Sequence, residues 1–176
     1  MARIPYPDPA TQSENLRDKL RRLGSLNVTR MISHSEGALS GYSRLGTFLL
    51  RRGKLDPIVR EIVILRIGQL CGSDYEWHQH ESVARAIGMG EATLQAVATG
   101  AYGQLTEAQQ VAVLLAEEIK REGGASEKAI DRAREFFSEE ELVELILCAG
   151  FYIMTAGLLL SLGIEIENTP PLGESI

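Results

Sequence analysis

Residues 145–164 read LILCAGFYIMTAGLLLSLGI, 20 positions without a charge. A stretch of that length either spans a bilayer or forms a helix that the rest of the fold must bury on every side. Its flanks decide between the two. Glu139, Glu140, Glu141 and Glu144 precede it, Glu165 and Glu167 follow, and no Lys or Arg stands nearby as a cytoplasmic anchor. The segment therefore reads as a core helix, with no membrane association. The 176 residues suit one domain with a real core. They leave little to wrap such a helix alone, so contacts with further copies of the chain are expected to complete its cover.

Strand signals are scarce and helix punctuation is frequent. A helix over residues 15–23 stops at Gly24, and Asn27 is expected to cap a short helix over 28–32. Residues 37–50 carry Leu39, Tyr42, Leu45, Phe48 and Leu49 at helical spacing. Asp56-Pro57 is an N-cap followed by an N1 proline, opening a helix to Leu70. Ser73-Asp74-Tyr75-Glu76 has the form of a capping box, and its helix runs to Gly88. A short helix covers 91–98. Thr106 to Gln109, Ser126, and Ser138 to Glu141 open three more. The expected fold is all-α, a single helical domain of eight or nine helices. An N-terminal arm (1–14) precedes the domain (15–168), and Thr169-Pro170-Pro171 starts a C-terminal tail (169–176).

A net charge of -6 and no phosphate-sized basic cluster argue against nucleic acid as a partner. Two cysteines, Cys71 and Cys148, make neither a disulfide framework nor a zinc signature. They read as reduced thiols, and the start of the chain has no signal-peptide pattern, so a cytoplasmic location is expected.

The reactive side chains concentrate in REIVILRIGQLCGSDYEWHQH, residues 60–80. Glu61 lies in an apolar helix, where it either pairs with an arginine such as Arg60 or Arg66 or faces a cavity as a proton relay. Glu76 and His80 are four apart and share a helix face, so Glu76 could orient the imidazole. His78 points elsewhere. Tyr75 could present its phenol to a substrate, and the free amides of that helix start suit an anion. Trp77 more often packs. Cys71 precedes the cap and is a core or interface thiol unless it is activated there. His34 and Arg44 could reach the pocket from the preceding helices. Glu61, Glu76 and His80 are too thin a set for a metal, and neither metal nor cofactor is expected.

From about Ser40 to Ile164 the chain resembles the carboxymuconolactone decarboxylase family, which includes alkylhydroperoxidase D-like proteins. The likeness rests on LDPIVREIVILRIGQLCGSDYEWHQHESVARAIGM and FSEEELVELILCAGFYIMTAGLL. It implies an all-helical fold assembled as trimers or hexamers. The peroxidase branch carries a Glu, a CxxC pair and a His. Glu61 and His80 match its Glu and His, Ser73 and Glu76 stand where its cysteines would be, and Tyr75 stands where it has a second His. The proton-relay positions match and the dithiol does not, and a thiol peroxidase needs that dithiol.

The expected function is cofactor-free acid–base chemistry, a decarboxylation or proton transfer, on a small carboxylated or lactone metabolite. His80, Glu61, Glu76 and Tyr75 would carry it, and the substrate would be anionic. The alternatives are an alkylhydroperoxidase-like peroxidase using Cys71 and a non-catalytic oligomeric binding protein.

Overall fold

The structure is a computed structural model that describes residues 1–168. The expected Thr169–Pro171 break and the tail 169–176 lie outside the described residues. Among the described residues nine α-helices follow one another: α1 (Glu14–Arg22), α2 (Asn27–Ile32), α3 (Glu36–Arg51), α4 (Pro57–Cys71), α5 (Asp74–Ala86), α6 (Glu91–Thr99), α7 (Glu107–Glu122), α8 (Glu127–Arg134) and α9 (Glu139–Leu162). Short 3-10 turns cover Pro9–Thr11 and Tyr102–Gln104. No strand occurs among the described residues, so the chain is all-α as expected.

The punctuation works as read in most places. Asp56 Oδ1 accepts from the Ile58 and Val59 amides, and capping boxes at Thr106/Gln109 and Ser138/Glu141 close in both directions. Two expectations fail. Asn27 is not a cap. It stands inside α2 after the cap residue Leu26, and its side-chain amide donates to the Glu165 carbonyl. The box at Ser73 is only half made. Ser73 Oγ accepts from the Glu76 amide, but the Glu76 carboxyl turns inward.

Helix α4 is the hub, packed by α5, α6, α7 and α9. Its sequence has no polar stripe, and residues 59–65 together with Ile67 and Gly68 are all buried. One apolar cluster joins Val63, Ile64 and Ile67 to Leu115 of α7 and to Leu145 and Cys148 of α9. A second joins Ile62 and Leu65 to Leu94 and Val97 of α6. Helix α9 is thus a core helix for its inner face, which buries Leu142, Leu145, Phe151, Tyr152 and Leu159. Its outer face stays open. Val143, Leu147, Met154 and Leu160 are exposed, and Val143 is 56 % accessible.

Helices α4 and α5 form a tight hairpin that positions the site. Gly72 sits at φ +68°, the left-handed conformation that glycine adopts without strain. The Ser73 amide donates to the Gly68 carbonyl and the Gly72 amide to that of Gln69, a Schellman closure. At Gly68 a Cβ would stand 3.2 Å from Glu76 Cβ, so the absence of a side chain there lets α5 lie close against α4.

Candidate functional site

The hairpin brings Glu61 of α4 and His80 of α5 together. His80 Nδ1 and Glu61 Oε2 are 2.7 Å apart, and Arg60 Nε donates to Glu61 Oε1 at 3.0 Å. Glu61 is fully buried, and Arg60 and His80 nearly so. Of the two readings of Glu61, the arginine pairing is the one seen, with Arg60, and the same carboxylate also holds the His80 imidazole. Arg66 is engaged elsewhere, with Glu117. A carboxylate on Nδ1 fixes the ring orientation and leaves Nε2 as the working nitrogen.

From α9, Tyr152 packs edge-on against the His80 ring, with centroids 4.9 Å apart. Burial raises its phenol far above the ordinary range. Tyr42 of α3 stacks on Phe151 and shares a hydrogen bond with Thr155 at 3.3 Å. Burial pushes its phenol up to about 12.

Glu76 does not orient His80; Glu61 does that instead. Both Glu76 carboxyl oxygens are sealed from solvent without a hydrogen-bond partner. Desolvation pushes the group up to about 8, so it is mostly protonated at neutral pH. Such a buried orphan is costly for folding alone and is the kind of group that proton chemistry uses.

Tyr75 and Gln79 form the adjacent row on α5. Both are buried, and both hydrogen-bond to Glu167 of the C-terminal segment rather than to His80. Trp77 packs against the Ile62–Leu94 cluster, as its type suggests. His34 and Arg44 are exposed, and the His34 ring bonds the Pro5 carbonyl at 2.8 Å, away from the pair. Cys71 is half-buried with its thiol raised by burial, while Cys148 is fully buried with its thiol raised further. Among the described residues no three His, Cys, Asp or Glu side chains converge to hold a metal ion. A concave groove between α7 and α8, lined by Val111, Leu114, Lys128 and Arg132, includes no residue of the 60–80 stretch.

Sequence reasoning left out Tyr152, Tyr42, Gln79 and Glu167. Tyr152 had a signal, as a polar-tipped ring inside an otherwise apolar helix. Glu167 had none, because its partners are remote in the chain.

A family model described as the carboxymuconolactone decarboxylase family matches residues 36–118. No curated protein matches. Solved structures do. An alkylhydroperoxidase AhpD core, an uncharacterized peroxidase-related protein from Ralstonia eutropha JMP134, superposes with a TM-score of 0.83 at 16 % identity, covering 95 % of this chain and 93 % of that one. An uncharacterized peroxidase-related protein from Silicibacter sp. TM1040 gives 0.79 at 15 % identity over 94 % and 91 %. A protein of unknown function from Agrobacterium tumefaciens gives 0.68 at 18 % identity over 78 % and 95 %. At these identities the likeness is one of fold.

Proposed function

With residues 36–118 matching the carboxymuconolactone decarboxylase family, we propose that the protein is an acid–base enzyme acting on a small carboxylated or lactone-like metabolite, with decarboxylation as its reaction. The buried Glu61–His80 hydrogen bond of 2.7 Å carries this reading. Loss of carbon dioxide from an unsaturated lactone acid breaks the carbon–carbon bond to the carboxylate. The electron pair passes into the conjugated lactone and then takes a proton at carbon. His80 Nε2 supplies that proton, and the Glu61 carboxylate, steadied by Arg60, stabilises the imidazolium before transfer. Glu76, neutral at pH 7, is a second proton donor one turn away on the same helix face.

The thiols support this reading over a cysteine peroxidase. Burial raises the Cys71 thiol, which lowers the thiolate fraction that attack on a peroxide requires. Where a resolving thiol would be needed, Ser73 and Glu76 stand. Two unpaired cysteines are in keeping with a reducing, cytoplasmic setting.

The open face of α9 supports a homo-oligomer. Val143, Leu147, Gly150, Met154, Gly157 and Ser161 lie along it at alternating steps of four and three, the seam spacing of a helix pair. A second copy meeting this seam would give α9 the cover that its own chain lacks, consistent with a trimer or hexamer.

The test is the rate–pH profile of carbon dioxide release from carboxymuconolactone and related unsaturated acids. The expected profile is bell-shaped, with one limb that disappears in His80→Gln. A profile unchanged by that substitution would refute the assignment.

A further inference from the structure

The C-terminal segment 164–168 crosses one side of α5 and lays a carboxylate there. Glu167 Oε1 accepts from the Tyr75 phenol at 2.5 Å and also from the Asn27 backbone amide. Glu167 Oε2 accepts from the Gln79 side-chain amide at 2.7 Å. With Glu167 seated, Tyr75 and Gln79 are 7 % and 2 % accessible. They come from α5, and the backbone amide comes from α2.

Its position matters as much as its chemistry. Tyr75 and Gln79 are one helical turn apart, and Glu76 and His80 form the row one residue further round the same helix. A carboxylate seated in the cradle is therefore held by the same helix that bears the imidazole and the Glu76 carboxyl, on a row about 100° round from theirs.

We infer that Tyr75, Gln79 and the Asn27 amide form the subsite for a carboxylate of the substrate, and that Glu167 occupies it as a stand-in while the site is empty. This rests on the acid–base reading for what the ligand is, though not for the binding itself. Buried donors must be satisfied, and the chain's own carboxylate satisfies them until a ligand carboxylate takes its place. The C-terminal segment then has to move off α5, so apparent affinity is reduced by the fraction of molecules in which Glu167 is seated.

Titration of fumarate into the full chain tests this, followed by calorimetry and by the Gln79 side-chain amide resonance. Glu167→Ala should bind fumarate at least tenfold more tightly than the unsubstituted protein, and Glu167→Gln should fall between them. Adding Tyr75→Phe to Glu167→Ala should remove most of the gain, and the Gln79 amide should shift on binding in both single variants. Equal fumarate affinity in all three forms would overturn the inference, leaving the cradle as an anchor for the segment. If Glu167→Ala does not fold, Glu167→Gln carries the same test, and affinity equal to the unsubstituted protein overturns it. Fumarate bound in this order without turnover of any lactone acid would sink the acid–base reading and leave the subsite standing. Turnover with KM and fumarate affinity indifferent to Glu167 would do the reverse.

Discussion

Glu61 and His80 come from different helices and meet at 2.7 Å inside the protein, with Arg60 on the other carboxylate oxygen at 3.0 Å. The arrangement has a definite polarity. The Nδ1 edge of the imidazole is committed to the carboxylate, and the Nε2 edge is the one left for chemistry.

His80→Gln should lower turnover by about 10²- to 10⁴-fold, the range expected for loss of a general acid. Glu61→Gln should lower it less while changing the ring tautomer. Nitrogen-resolved spectra of His80 check this directly. In the neutral ring of the unsubstituted protein the proton should reside on Nδ1, and that preference should be lost in Glu61→Gln.

Removing Glu61 altogether should also cost stability. Glu61→Ala strips a fully buried carboxylate from Arg60 and His80 and leaves the guanidinium buried without its partner. A loss of roughly 3–5 kcal/mol is expected in denaturant melts. A loss within the scatter of surface substitutions would mean that the pair is solvated.

The Glu76 carboxyl is held at about 8 by burial, well above the ordinary carboxylate range of the unfolded chain. Between those two values the fold keeps a proton that the unfolded chain has released, so stability falls as pH rises through the interval. Below the interval both states are protonated and the contribution is complete; above about 8 it is gone. The total loss is on the order of 5 kcal/mol. Glu76→Gln should flatten the dependence, which melts at about pH 5 and about pH 9 will show. Parallel slopes in the two proteins would contradict the burial argument.

Cys71→Ala should leave turnover within about twofold, because the account gives the thiol no step and surface-near substitutions rarely matter more. Alkylation of Cys71 at neutral pH should also be slower than that of free cysteine, since burial raises the thiol. Rapid modification, or peroxide consumption with a dithiol reductant, would favour the peroxidase alternative.

Met154→Glu puts a charge at the middle of the open α9 seam, where the native side chain is 54 % accessible. The expected outcome is a smaller particle in sedimentation at unchanged helical content. An unsubstituted protein that already sediments as a monomer would contradict the proposed assembly.

The helices were legible in the sequence because their signals are local. Asp56-Pro57, Thr106 with Gln109, and Ser138 with Glu141 each act within one turn, and each sits where it was expected. The Glu61–His80 meeting was legible only through the family likeness and the short Cys-Gly turn between their helices. That the box at Ser73 is only half made was not legible, because a capping box and an inward-facing carboxyl have the same sequence. Only packing against Gly68 decides between them. Glu167 was invisible for a different reason: its hydrogen-bond partners lie 88, 92 and 140 residues away along the chain. Nothing in local spacing encodes such contacts.

The most direct test compares carbon dioxide release by His80→Gln and Cys71→Ala over one panel of carboxylated lactones and unsaturated acids. The account predicts that the histidine variant is nearly inactive and the cysteine variant nearly unchanged. Activity that survives loss of His80 and disappears with Cys71 would contradict it.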